Sequence, residues 1–180
     1  MDNNKSIAVI YKSKYGSTKK YAGWIALKLD ADLYEISDIR GKDLKDYDVI
    51  IFGGSLHAGK IKGVDLIIKN YDMIKEKEII VFAVGLSHEK DKLLNSIMEK
   101  NFDEEIGNNI KLFYLRGSFN YRELSIGDKA MMSILKIDLK SKKDELDEDG
   151  KGMLEAFNAP IDFCDKKSIE KVIICVNENI

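Results

Sequence analysis

Three scarcities limit what this chain of 180 residues can be. It has two cysteines, Cys164 and Cys175, which lie near the C-terminus without metal-ligand spacing, so we expect free thiols and no metal site. Its longest apolar stretch, residues 79–86, is far shorter than the roughly 20 residues that a membrane-spanning helix needs. The formal net charge is only −2, so the basic excess typical of nucleic-acid-binding proteins is missing.

The chain also lacks the marks of a linker or of a secretory signal. Its single proline is Pro160, and no segment rich in proline or glycine divides the sequence. Polar residues 1–5 run directly into a short apolar segment that is too short for a signal peptide. With 44% apolar residues, the chain can form a sizeable core. We therefore expect one cytoplasmic domain over residues 1–180.

Apolar segments rich in β-branched residues alternate with segments of helical periodicity. This pattern predicts strands at 5–11, 31–36, 48–54, 78–85 and 110–119. It predicts helices from residue 18 onward and at 63–74, 90–100 and 168–176. Strands that alternate with helices favour a parallel α/β sheet with helices on both faces. Such sheets bind ligands beyond the carboxyl ends of their strands, which directs attention to the loops after residues 11, 54, 85 and 119.

The loop after the first predicted strand has the composition of a phosphate site. Residues 13–18 read Ser-Lys-Tyr-Gly-Ser-Thr and open a helix, whose first N–H groups and dipole favour an anion. Gly16 would let the backbone approach a phosphate, and Ser13, Ser17 and Thr18 supply hydroxyl donors. The same residues would also suit a helix that Ser17 merely caps, so the local sequence leaves both interpretations open.

Other phosphate-binding and phosphate-accepting motifs do not fit this loop. The P-loop spacing would require a glycine directly before Lys-Ser or Lys-Thr, and the dinucleotide fingerprint would require three glycines. A receiver domain would require acidic residues after the first strand, where this chain has Tyr11, Lys12 and Ser13.

Residues 13–18 resemble the phosphate-binding pattern of flavodoxins, with Tyr15 at a position where most members carry a small hydroxyl residue. The resemblance continues through residues 53–59, 119–125, 128–132 and 161–170. The pattern over the whole chain is similar to a flavodoxin subfamily that includes quinone-dependent protoporphyrinogen dehydrogenases. It implies a flavodoxin-like, doubly wound, five-stranded parallel sheet of order 2-1-3-4-5. It further implies FMN binding and electron transfer to or from a partner protein, a quinone or a small molecule. Protoporphyrinogen oxidation with a quinone acceptor is the enzymatic alternative.

The resemblance implies three loops around FMN. Their residues are Ser13, Lys14, Tyr15, Gly16, Ser17 and Thr18 at the phosphate and Ser55, Leu56, His57, Ala58, Gly59, Gly85, Leu86 and Ser87 at the ring. Gly59 would let a peptide turn its carbonyl toward the flavin. Unlike those of ordinary flavodoxins, the two loops at the ring carry no aromatic residue besides histidine. His57 is equally well explained as an exposed loop residue, and exposure is the favoured interpretation of His88.

Residues 121–152 fall outside the alternation of strands and helices. Within them Ala130, Met131, Ile134 and Leu135 share one helical face with lysines around it. This helix could pack over its own domain, contact a membrane surface or receive a partner. We expect the acidic residues at 144–149 to stay solvated and to weaken attraction to a membrane surface. We therefore expect the segment to recruit a substrate or redox partner.

Overall fold

The computed structural model describes residues 5–88 and 91–178. The strands are β1 Ile7–Lys12, β2 Asp32–Glu35, β3 Val49–His57, β4 Lys60–Ile61, β5 Glu78–Gly85, β6 Ile110–Arg116, β7 Ser118–Phe119 and β8 Ile161–Asp162. The α-helices are α1 Ser17–Leu29, α2 Asp65–Ile74, α3 Asp91–Asn101, α4 Glu104–Asn109, α5 Ile126–Ser141, α6 Glu148–Ala156 and α7 Glu170–Asn177. Short 3₁₀-helices cover Gly41–Asp46, Tyr121–Glu123, Lys143–Glu145 and Lys166–Ile169.

The five long strands form a parallel sheet in the order β2-β1-β3-β5-β6. Counted along the chain, this is the predicted order 2-1-3-4-5, and the flavodoxin-like α/β fold is confirmed. The register pairs Lys12 with Gly54 and Ser55 with Val84. The carboxyl ends of β1, β3 and β5 therefore meet at one edge of the sheet, where ligands of open α/β sheets bind.

Helices cover both faces of this sheet because alternate strand residues point to opposite sides. On one face Ile10, Ile50 and Phe52 pack with residues of α2 and α3. On the other face, residues of β1 and β3 such as Val9 and Ile51 pack with α1 and α7. These strand residues are fully buried, which explains why the strands read as continuous apolar runs.

The predicted strand at 110–119 is interrupted at Gly117. The N–H of Gly117 donates to the carbonyl of Gly85 at 2.7 Å, and a Cβ at this position would lie 2.8 Å from Cγ1 of Val84. Beyond Gly117, β7 leaves the large sheet and pairs antiparallel with β8. The sequence prediction missed this change of direction because Ser118 and Phe119 continue a β-like pattern.

Residues 121–156 form an insertion that packs on a small third core, shared with residues just outside it. Phe119, Leu124, Ala156 and Phe157 are buried there, and Leu86 from the loop after β5 packs against them. The inward face of α5 carries Met132 and Leu139, whereas the predicted apolar face of Ala130, Met131, Ile134 and Leu135 points outward. A helix is present at the predicted place, but it carries apolar residues on both faces and the more apolar face is the exposed one.

The acidic segment after α5 is only partly solvated. Asp147 caps α6 by accepting the N–H of Gly150 at 2.9 Å, and Asp149 contacts His88. The expectation of a wholly solvated acidic run is therefore wrong for Asp149. Within residues 5–88 and 91–178, no helix has the length and apolar character needed to cross a bilayer.

Candidate cofactor site

The phosphate loop, residues 13–18, has the backbone of an anion cradle. Gly16 stands directly before α1 with a φ of +94°, a conformation that side-chain-bearing residues rarely adopt. Its N–H donates to Oγ of Ser13 at 3.1 Å. A Cβ built on Gly16 has no neighbour within 4 Å, so open space lies beside the start of the helix. These features fit a phosphate group that approaches the first N–H groups of α1.

Ser17 and Thr18, the two hydroxyl residues that follow, differ in their surroundings. Oγ of Ser17 accepts the N–H of Ser118 at 3.0 Å and lies 2.8 Å from Oγ of Ser118. Thr18 is 1% exposed at the beginning of α1. Ser17 therefore ties the phosphate loop to β7, a structural role in addition to the predicted phosphate contact.

Lys14 and Tyr15 connect the phosphate loop to the first turn of α5. Both side chains hydrogen-bond to the carboxylate of Asp128. The hydroxyl of Tyr15 also accepts the N–H of Ser125 at 3.2 Å, and Nζ of Lys14 lies 3.2 Å from Oγ of Ser125. The tyrosine that departs from the flavodoxin pattern thus holds the insertion in place.

The hydrogen bond from Lys14, with that from Tyr15, lowers the pKa of Asp128 to about 2. A carboxylate with a depressed pKa stabilises the fold above its unfolded pKa, and this contribution is lost as the pH falls through the folded value. We expect Asp128→Asn to lower the free energy of unfolding at neutral pH. The difference from the wild type should shrink between about pH 4 and about pH 2.

Denaturant unfolding at several pH values measures this difference. Asp138→Asn is the matched control, since Asp138 lies on the same helix and pairs with the exposed Lys142 at 2.8 Å. An exposed pair of this kind contributes little. A stability difference for Asp128→Asn that does not change below pH 4 would show that the Asp128 carboxylate does not support this contact.

The predicted ring loop at 55–59 is a β-hairpin. Ala58 and Gly59 have φ values of +51° and +82°, as the two central residues of a type I′ turn require. The carbonyl of Gly59 accepts a hydrogen bond from Nδ2 of Asn101 at 2.8 Å, and Oδ1 of Asn101 accepts the N–H of Ile61 at 2.8 Å. The hairpin is thereby fixed to the end of α3. Rotation of the Gly59 carbonyl toward a ligand would have to break its bond to Asn101.

The second predicted ring loop, residues 85–87, is held by the insertion and by β6. Leu86 packs against the core of the insertion, and its carbonyl accepts a hydrogen bond from Nε of Arg116 at 3.2 Å. His88 is exposed, as expected, but its Nδ1 contacts Asp149 and its Nε2 lies 3.3 Å from NH1 of Arg116.

Asp128, Ser118, Asn101 and Arg116 were not identified from the sequence. Ser118 contacts a residue 101 positions away, and Asp128 contacts one 114 positions away. Only Asn101 left a signal, as a polar residue that ends an apolar helical stripe. Among the residues that the structure describes, no three His, Cys, Asp or Glu side chains are placed to hold a metal ion. Among the described residues Cys164 and Cys175 form no disulfide, in agreement with the prediction of two thiols.

Comparison with known proteins gives a family and several structural neighbours. A family model described as a flavodoxin domain matches residues 8–146. None of the curated proteins matches the chain.

Three structural neighbours illustrate the similarity. The Trp repressor binding protein from Bacillus subtilis is 21% identical with a TM-score of 0.47, over 62% of this chain and 83% of its own. Flavodoxin 2 from Bacillus cereus is 20% identical with a TM-score of 0.44, over 62% of this chain and 84% of its own. A WrbA-like flavodoxin from Agrobacterium tumefaciens is 22% identical with a TM-score of 0.43, over 69% of this chain and 87% of its own.

Proposed function

This chain belongs to the flavodoxin domain family, and from that premise we propose that it binds FMN and exchanges electrons with a redox partner. The observation that carries the proposal is the phosphate loop. Gly16 adopts a left-handed conformation at the start of α1 and leaves open space beside the helix N-terminus. Loop and helix lie at the carboxyl edge of the parallel sheet, where this fold class binds its ligands.

In this proposal the phosphate loop holds the FMN phosphate, and the residues at 55–59 and 85–87 flank the ring. Bound FMN supplies reversible electron transfer. The protein adjusts that chemistry through the charge and polarity next to the ring. Arg116, bonded to the carbonyl of Leu86, places a positive charge beside the second ring loop. Such a charge stabilises electrons added to a nearby group and so raises its reduction potential.

Reconstitution tests the proposal. The purified protein, incubated with FMN and separated from unbound flavin, is expected to retain flavin absorbance at a ratio near one per chain. Anaerobic reduction with dithionite, followed by addition of a soluble quinone, should bleach and then restore that absorbance. A protein that retains no flavin, or whose bound flavin no quinone or electron carrier reoxidises, would contradict the proposal.

A second candidate is quinone-dependent oxidation of protoporphyrinogen. The insertion favours this second function, because α5 is hydrogen-bonded to the phosphate loop and Leu86 of the second ring loop packs beneath the insertion. Loops without a stacking aromatic side chain would also leave a ring face accessible to a substrate. The FMN-loaded protein should then form protoporphyrin from protoporphyrinogen in the presence of a quinone. An electron carrier would reduce and reoxidise its flavin but would not accelerate this reaction.

We also infer a cytoplasmic location and a single domain that carries the helical insertion. Cys164 and Cys175 are not joined in a disulfide, which is usual in the reducing cytoplasm. The small core of the insertion includes Leu86 of the main fold, so the two parts share apolar contacts.

A further inference from the structure

One face of α5 exposes an apolar stripe, which consists of Ile126, Ala130, Met131, Ile134, Leu135 and Ile137. Ile126, Ile134 and Ile137 are 89%, 71% and 69% exposed. Met131 and Leu135 at its border are 39% and 38% exposed. Single exposed apolar residues are ordinary, but a continuous row along one helix marks an interaction site.

The contacts of α5 prevent the stripe from turning inward. Met132 and Leu139, on the opposite face, pack into the core of the insertion. Lys136 lies 5.0 Å from the ring centroid of Phe157 on that same inner side. At the start of the helix, the carboxylate of Asp128 accepts hydrogen bonds from Lys14 and Tyr15 of the phosphate loop. The helix is therefore held at both its inner face and its beginning, with the stripe directed outward.

The charge around the stripe is basic. Residues 129–143 contain five lysines and one aspartate, and all of these lysines except Lys136 lie away from the rings of the insertion core. That aspartate, Asp138, lies one turn after Ile134 within the stripe and is paired with Lys142, whereas Lys140 lies on the flank next to Ile137. The run of acidic residues begins at Asp144, seven positions along the chain beyond Ile137 and after the end of α5. Two of them already have partners within the protein, since Asp147 accepts the N–H of Gly150 and Asp149 contacts His88.

We propose that the α5 stripe lies in the interface of an anionic phospholipid bilayer. The isoleucines would enter the boundary between headgroups and acyl chains, and the flanking lysines would extend to the lipid phosphates. A bilayer accepts a convex helix face without a complementary pocket. Protein interfaces, by contrast, concentrate tyrosine, tryptophan and arginine at their centre, and the stripe contains none of these. The basic flanks match the negative surface potential of anionic lipid.

Sedimentation with vesicles tests this assignment on the full chain. The wild type should pellet with vesicles of equal parts phosphatidylcholine and phosphatidylglycerol, and only weakly with phosphatidylcholine alone. The double variant Ile134→Ser with Ile137→Ser should bind the anionic vesicles at least about tenfold more weakly, because it lacks two apolar side chains that would be buried in the bilayer. Lys140→Gln with Lys143→Gln should reduce binding to anionic vesicles and make it less sensitive to salt.

The matched control is Leu27→Ser with Ile174→Ser, which removes two side chains that are 78% and 53% exposed on α1 and α7. This control should bind the vesicles like the wild type. The proposal is overturned if the wild type does not pellet with anionic vesicles, or if the control and the α5 variant lose binding equally. It is also overturned if the wild type is a dimer that ignores vesicles and the α5 variant is a monomer, since the stripe would then join two copies. Retained near-ultraviolet circular dichroism confirms that each variant is folded.

Discussion

Gly16→Val is expected to remove FMN binding from a protein that still folds. Gly16 has a φ of +94°, and a β-branched residue strongly disfavours that conformation. The new side chain would also fill the open space beside the start of α1, where we place the phosphate. Backbone strain and loss of the phosphate contacts should together weaken FMN binding by about 100-fold or more. Fluorescence titration of the apoprotein with FMN measures the change.

Gly23→Ala is the matched control for this variant. Gly23 lies within α1, and a Cβ there has no neighbour within 4 Å. Alanine should stabilise the helix by up to about 1 kcal/mol and leave FMN binding unchanged. If Gly16→Val bound FMN as tightly as Gly23→Ala, the phosphate could not lie against the start of α1.

Gly54→Ala is expected to cause a large loss of stability. A Cβ on Gly54 would lie 2.5 Å from Cγ2 of Ile61 and 2.6 Å from the backbone carbonyl oxygen of Lys62. The carbonyl cannot move without opening the hairpin that follows β3, in which Lys62 donates its N–H to Ser55. We expect a loss of about 2 kcal/mol or more in the free energy of unfolding.

Thermal unfolding measures the effect of Gly54→Ala. For a chain of this size, such a loss lowers Tm by about 5 °C. Gly127→Ala, in the first turn of α5 with no neighbour within 4 Å, is the matched control and should leave Tm unchanged or slightly raised. Equal Tm values for the two variants would mean that the hairpin does not pack against Gly54.

The sheet could be predicted from the sequence because its central strands are buried on both faces. Residues 78–85 illustrate this: β5 has the predicted bounds, and its residues from 79 to 84 are all buried. The short helix α4 was missed, since six residues with one buried apolar side chain, Ile106, give no periodicity to detect. Periodicity identifies elements that bury a full face and misses those that only connect them.

The phosphate loop could be located from the sequence, but the use of its side chains could not. Lys14 and Tyr15 contact Ser125 and Asp128, more than 100 residues further along the chain. Such pairings depend on how the insertion folds back, and no local pattern encodes this. The orientation of α5 could not be predicted for the same reason. The amphipathic pattern was visible, but which face meets the domain depends on the partners that Met132 and Leu139 find there.

The central claim is that the loop at 13–18 holds the phosphate of FMN. Riboflavin carries the same ring without the phosphate, so parallel titrations of the apoprotein with FMN and riboflavin test the claim directly. A phosphate held by helix N–H groups and hydroxyls should make FMN bind at least about 100-fold more tightly, and Gly16→Val should abolish that preference. Equal affinity for the two flavins in the wild type would show that the loop does not bind the phosphate.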